Sequence, residues 1–506
     1  MSLTGALSIA TGGLANINYQ LGVVAQNVTN AGTPGYLTEV ATQSSITTGD
    51  QPLGVISGPA TREVDTALQA SLYAQNGVVA GLQTTGTALQ RIDAVQGTPG
   101  QSGDLTGLLG ALGDAFSTLE NDPSNQAQQC RVVAAAQALA GQVNAVADAV
   151  VGGRQAAQDA IVTNVDAING ALATIGRLSD QIMAAHTAGK STADYENQRD
   201  AALSSLSGMV GVRSLEQANG DLLVTTTNGL PLPTHGGAGP LATSSANVGA
   251  NSYYPGGSIP PITMNGVDVT VALTGGTLGA NITLRDQTLP GYQAQLDEFS
   301  ETLSNRFAQQ GLTLFTDPTG TVPVPTGPPT QSGYIGYANI IQVNPAVAAQ
   351  PSLVRDGTDV IAGSPTGASA FTPNAPGGPA GFNTLIQRVL SYSLGAQAQP
   401  GVPQPPPSVT GLGPAGTLAA PYAAPSDLGG FATAFIAAQA NDSGNASALL
   451  GTEQAVQTTL SSNLQSEDGV SLDKQMSNMV VLQNAYAANA KVVGAVQSMW
   501  AQLLQL

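Results

Sequence analysis

The first thirty residues constrain the chain most. Leu3, Leu7, Ala10, Leu14, Ile17, Leu21, Val24 and Val28 follow one another at intervals of 4, 3, 4, 3, 4, 3 and 4. Apolar side chains at every a and d position place one narrow seam along one helix face. The helix is weak by composition, because Gly5, Gly12, Gly13 and Gly22 each cost about 1 kcal/mol relative to Ala. Such a segment does not hold itself helical alone. It needs a partner that buries the seam.

The far end of the chain offers one. Leu472, Met476, Met479, Gln483, Tyr486, Ala490, Val493, Gln497, Trp500 and Leu504 lie in the same register, and Trp500 is the single tryptophan. Two readings fit these seams: a pair of core helices in a bundle, or helices that order on assembly. Low charge and weak helices favour assembly.

Only 9% of residues are charged, against about 25% in ordinary domains. The 14 basic and 32 acidic residues leave a net charge of −18, which disfavours nucleic acid and anionic membrane surfaces as partners. No run is long and apolar enough to predict a transmembrane helix. The first basic residue is Arg62, so the chain lacks the basic start of a cleavable signal peptide, and export would take another route. The lone Cys130 cannot form an internal disulfide and reads as a small buried residue on a helix.

Between the seams the pattern predicts helices over 62–96, 105–120, 125–187 and 431–468. In the third, Ile161, Val165, Ile168, Leu172, Ile175 and Ile182 keep a seven-residue period, with Ser179 in the missing slot. Tyr292, Leu296, Phe299, Leu303 and Phe307 form another seam. Residues 37–60 alternate loosely, as a hairpin or extended arm does. From Val210 to Leu289 the pattern turns to β, with Leu222 to Thr227 before Asn228-Gly229, and Asn265-Gly266 before Val267 to Val271. Residues 316–332 and 363–426 are rich in Pro and Gly and read as irregular surface loops or linker, with one helical piece near Thr384–Leu394.

The expected fold is α+β and multidomain. A rod-like α-helical coiled-coil part is built from both ends of the chain, with a β-rich domain inserted. The expected division is 1–35 with 470–506 as terminal coiled-coil helices, and 36–209 with 286–312 and 431–469 as a helical rod. Residues 210–285 are the inserted β-rich domain, and 313–430 an irregular outer region.

No catalytic constellation survives inspection. Gly189-Lys190-Ser191 lacks the earlier glycine and the preceding strand of a phosphate loop. Gly411 to Gly416 fits a dinucleotide fingerprint only in spacing, inside a Pro-rich loop. His186 and His235 fall at a helix end and in a Gly-rich loop, where solvated or turn roles are expected. No enzyme activity, cofactor or metal is expected.

The motifs are nevertheless recognisable. Asn27-Val28-Thr29-Asn30-Ala31-Gly32-Thr33-Pro34-Gly35-Tyr36 resembles the N-terminal signature of flagellar rod, hook and junction proteins. Tyr195-Glu196-Asn197-Gln198-Arg199-Asp200 and Leu284-Arg285-Asp286-Gln287-Thr288-Leu289-Pro290 are more specific. They are similar to internal stretches of the flagellar hook-associated protein 1 family. Gly469 to Asp473 and Asn484 to Val492 resemble that family's final helix.

The resemblance implies a structural component of the bacterial flagellum. It would be exported by the flagellar type III apparatus without a cleaved signal. It would form the junction between hook and filament as a homo-oligomeric ring, with terminal helices lining the axial channel. The implied partners are the hook protein, the second hook–filament junction protein and an export chaperone. The expected assembly residues are Leu3, Leu7, Leu14, Ile17, Leu21, Val24, Val28, Leu472, Met476, Met479, Tyr486, Val493, Trp500 and Leu504. Arg199 with Asp200, and Arg285 with Asp286, are expected to pair or cap within one subunit. Another axial protein, an extracellular adhesin using the β unit, and a cell-wall carboxylate hydrolase are the alternatives.

Overall fold

The structure is a computed structural model that describes residues 3–33, 35–48, 51–97, 103–235 and 239–503. Pro34 of the signature and Leu504 of the seam lie outside the described residues.

Helix α1 (Leu3–Asn30) leads through the Thr33–Tyr36 turn into a long antiparallel hairpin, β1 (Glu39–Thr48) and β2 (Gln51–Arg62). The loose alternation over 37–60 is therefore paired. The hairpin lies on α1. Asn16 Nδ2 donates to Gln43 Oε1 at 2.6 Å, and Ser57 Oγ donates to Asn16 Oδ1 at 2.7 Å.

Four helices follow: α2 (Thr66–Gln96), α3 (Leu105–Asn121), α4 (Gln126–Thr187) and α5 (Ala193–Met209). Their starts are chemically marked. Asp65, Asp104 and Asn125 each accept backbone N–H groups of the first turn, satisfying donors that no helical carbonyl can reach. The expected helix or helix pair over 125–187 is one helix of 62 residues. Its seven-residue seam is wholly buried, Ser179 included, and among the described residues the Ser179 hydroxyl has no hydrogen-bond partner.

The stretch predicted as β is only partly strand. β3 (Val212–Glu216) pairs with β4 (Leu222–Thr226), and β5 (Leu241–Ala242), β6 (Thr263–Met264) and β7 (Val267–Asp268) form a small antiparallel sheet. Asn265 and Gly266, at φ 53° and 78°, make the predicted tight turn between β6 and β7. Asn228-Gly229 also turns the chain, but into a single bridge between Thr225 and Pro231. The strand expected through Val271 stops at Asp268. Asp268 Oδ1 accepts from Thr270 N and Oγ1, and a 3-10 turn replaces the ladder.

Next comes a bent helical run: α6 (Gly276–Thr283), a π turn at Leu284–Thr288, and α7 (Leu289–Gln309). The Arg285-Asp286 motif sits in the π turn, a place where helices depart from regularity. The chain then pairs β8 (Phe315–Thr316) with β9 (Gln342–Val343) and forms the short helices α8 (Pro345–Ala349), α9 (Leu353–Asp356) and α10 (Thr384–Arg388). It ends in α11 (Leu428–Glu467) and α12 (Leu472–Leu503).

Two cores share α4. One joins the first half of α4 to α3, α7, the start of α11 and the segment 312–389; the other joins its second half to α5, α6 and the β3–β7 region. Phe371, Leu385, Ile386 and Val389 are buried in the first core. The Pro- and Gly-rich region is thus packed where the sequence suggested surface loop. Its scattered apolar residues have no period to reveal this. Arg154 lies where the two cores meet, donating to the carbonyls of Arg285, Gly249 and Ser252. Burial lowers its pKa to about 10. Cys130 is on a helix as expected, but exposed.

Candidate assembly surface and the node that carries it

Neither core includes a residue of α1 or α12; these two helices pack together outside both. They run antiparallel. Thr38 N and Oγ1 donate to the carbonyls of Asp468 and Gly469 at one end. Further along, Gly13 faces Asn489, whose Oδ1 would lie 3.2 Å from an added Cβ. Glycine thus allows the close approach that its low helix propensity costs elsewhere.

On α1, Ala10, Ile17 and Val24 are buried, and Leu3, Leu7, Leu14, Leu21 and Val28 half-buried. On α12 the register divides. Met479 and Val493 are half-buried beside Leu482 and Asn489, with Gln475 and Val496 buried. Leu472, Met476, Tyr486 and Trp500 point outward, Leu472 and Met476 at 51% exposure and Trp500 at 43%. Val480, Val481, Val492, Met499 and Leu503 are exposed with them. The helix is apolar on more than one face, so periodicity alone could not select the stripe that meets α1.

The terminal pair joins the rest of the molecule through a buried polar node. Asn27, 1% exposed, donates Nδ2 to the Glu39 carbonyl at 2.8 Å, while its Oδ1 accepts from Glu39 N and Tyr36 Oη. Gly35 turns the chain at φ 78°, and Thr33 Oγ1 donates to Asn30 Oδ1 at 3.4 Å. Asn197 of α5 holds both the N–H and the carbonyl of Leu37. The centre is Arg62. It donates Nε to Glu196 Oε2 at 2.9 Å, and Nη1 to Asn197 Oδ1 at 2.9 Å and Asp200 Oδ2 at 2.8 Å. Gln69 Nε2 also reaches Asp200, and Asp65 N donates to Asp468 Oδ2. One cluster therefore gathers the end of α1, the hairpin, α2, α5 and the α11–α12 junction. Burial, with Asp194 nearby, raises the pKa of Glu39 despite its contacts to Tyr36 and Arg62.

Arg199 and Asp200 each form an ion pair within the chain, but with other residues and not with each other. Neighbours on a helix point about 100° apart. Arg199 turns to the β3–β4 hairpin, donating to Glu216 Oε1 at 3.1 Å and the Gly220 carbonyl at 2.7 Å, while Asp200 turns to Arg62. Gln198 is exposed, and its Nε2 donates to Asp194 Oδ2. Arg285 and Asp286, in the π turn, do pair, bidentately at 2.7 Å. Arg285 also donates to Gln158 Oε1.

Sequence reasoning missed Arg62, Glu39 and Gln69 as node residues. The usable signal was scarcity: with 14 basic residues in 506, a buried arginine must have dedicated carboxylates. Among the described residues, no three His, Cys, Asp or Glu side chains gather as metal ligands, and no helix is long and apolar enough to cross a membrane.

Comparison with known proteins agrees with this architecture. Residues 465–506, spanning α12, match a family described as the flagellar basal body rod FlgEFG protein C-terminal. Residues 89–321 match the flagellar hook-associated protein FlgK helical domain. Flagellar hook-associated protein 1 of Salmonella typhimurium and that of Salmonella typhi are each 24% identical over 318 residues, 61% of this chain and 56% of theirs. The chain thus spans little more than half the length of these curated relatives. The flagellar hook junction protein FlgK from Burkholderia pseudomallei shares the fold, with a TM-score of 0.56 at 16% identity over 78% of this chain and all of that one. The helical body and the terminal helix of this chain thus resemble those of axial structural proteins of the bacterial flagellum. Over residues 89–321 the chain is similar to the helical domain of FlgK, the flagellar hook-associated protein.

Proposed function

We propose that the protein forms the junction between hook and filament, assembling into a ring through α1 and α12. One observation carries this reading: α12 keeps an exposed apolar face after it has packed with α1. Leu472, Met476, Val480, Tyr486, Trp500 and Leu503 are each at least 40% exposed. Large apolar side chains left exposed together on one helix mark a binding surface. Burying one such Leu, Met or Val contributes about 1.5–3 kcal/mol.

In this reading neighbouring copies cover that face, and the half-buried α1 residues Leu3, Leu7, Leu14, Leu21 and Val28 complete the contact. Hook protein on one side, the second junction protein on the other, and an export chaperone beforehand are the partners proposed. The intended division of labour follows the domain plan: terminal helices at the channel, helical body and β3–β7 region outside it.

The test is Met476→Asp with Trp500→Asp in the full chain. The expected result is an unchanged thermal midpoint of the monomer, with loss of self-association by sedimentation and loss of filaments on cells. Normal filaments with both substitutions would overturn the proposal.

A further inference from the structure

The β3–β4 hairpin presents an edge that the assembly role does not use. Its inner face is anchored: Leu222 and Val224 are buried in the second core, and Val212 packs against it. Just beyond the paired residues, Thr227 N donates to the Gly211 carbonyl and Gln217 N to the Asp221 carbonyl. Bonds between antiparallel strands alternate along the ladder. In the register Val212↔Thr226 to Glu216↔Leu222, Arg213 and Leu215 therefore turn their backbone groups to β4. Val212, Ser214 and Glu216 turn theirs away.

The two edges of the hairpin differ. That of β4 is closed by residues 230–232, where Thr226 N donates to the Leu230 carbonyl at 2.8 Å and Leu232 N to the Val224 carbonyl at 2.9 Å. On the β3 side, among the described residues, no hydrogen bond reaches the outward N–H and C=O groups of Val212, Ser214 and Glu216. Charges usually shield such an edge, and β3 has two. Glu216 is held by Arg199 Nη2 at 3.1 Å. Arg213 is exposed and, among the described residues, has no ion pair. Leu215 shares its face of the strand and is 64% exposed, with Leu223 opposite it at 39%.

We propose that the β3 edge takes up an extended acidic segment of a partner protein as an added antiparallel strand. Main-chain hydrogen bonds supply affinity in this mode of recognition, and alternate side chains supply specificity. Residues opposite Arg213 and Leu215 would occupy non-hydrogen-bonded positions, where side chains approach most closely. The segment therefore sets an acid against Arg213 and an apolar side chain against Leu215. Read along its own direction, it carries an apolar residue followed two positions later by Asp or Glu. A second copy of β3 is the poorer occupant. Paired antiparallel about Ser214, it would set Arg213 against Leu215 and leave both cations without an acid. Assembly through α1 and α12 plays no part in this contact.

The test adds a blocked heptapeptide to the full chain and follows hydrogen exchange over residues 212–216. The probe is threonine throughout, except for valine at its third position and glutamate at its fifth. Saturable protection of this strand is expected at millimolar peptide. A probe N-methylated at alternate residues, on the amides that would bond β3, should give none. Since an opposite-charge cross-strand pair is worth up to about fivefold in binding, Arg213→Glu should weaken the glutamate probe by about that factor. The variant should prefer a probe with lysine in place of glutamate. Arg213 is exposed and unpaired, so the thermal midpoint should not move. No protection, equal binding by the N-methylated probe, or no preference between glutamate and lysine would overturn the proposal. So would protection of β3 that grows with protein concentration in the absence of peptide, which would mark a second copy as the occupant.

Discussion

Replacing Arg62 with Met keeps the length and apolar stem of the side chain and removes the guanidinium. Three contacts of 2.8–2.9 Å, to Glu196, Asn197 and Asp200, disappear together. The Arg62 side chain is 7% exposed, and its carboxylate partners are 20% and 11% exposed. The loss leaves two little-hydrated anions facing one another across a vacated site. Removing one partner of a buried pair costs about 3–5 kcal/mol, mostly through the charge left behind. The contacts act as one unit, so their separate values do not add. Urea unfolding of the full chain should show the loss, and limited proteolysis should show where it falls. New cleavage is expected at 62–66 and 468–471, where the chain crosses between the terminal pair and the body. Asp200→Asn combined with Arg62→Met should cost less than the two singly added together, because one of the two stranded charges is gone. A loss under about 1 kcal/mol with an unchanged cleavage pattern would refute the node as the clamp on the terminal helices.

Three further outcomes follow from the packing. A Cβ at Gly176 would fall on the Thr234 carbonyl, while one at Gly170 meets nothing within 4 Å. Thermal unfolding should therefore show Gly176→Ala destabilised by about 1–3 kcal/mol and Gly170→Ala stabilised by about 0.4–1 kcal/mol. Ser179→Ala removes a buried hydroxyl without a partner and should raise stability by about 1 kcal/mol, read from the denaturation midpoint. Burial pushes the Asp297 carboxyl up from 3.8 to about 7, against hydrogen bonds from Gly336 N, Ala338 N and Gln293. The native state holds that proton more tightly, so stability should fall as pH rises from 4 to 7, by up to about 4 kcal/mol. A flat stability profile across that window would contradict this assignment.

Much of the helical frame was legible from one end of the chain to the other. Regular spacing is a local property, and α1, α4, α7 and α12 each carry it in their own residues. The caps at Asp65, Asp104 and Asn125, and the Asn265-Gly266 turn, are equally local. The outer region was less legible, because Phe371, Leu385 and Val389 are buried by distant elements, without any period of their own. The signature motif was visible as Asn27, Gly35 and Tyr36, but its meaning depended on Arg62 and Asn197, which lie well away from it in sequence.

By itself the sequence determined the seams, the long helices and the family resemblance, because these rest on neighbours one or two turns apart. Tertiary structure alone decided which stripe of α12 meets α1 and which stays exposed, and that Asp200 belongs to Arg62 and not to Arg199. The physical reason is the same in both cases. Helical spacing defines faces, but only the surrounding chain selects the face that is covered, and charge finds its partner through space.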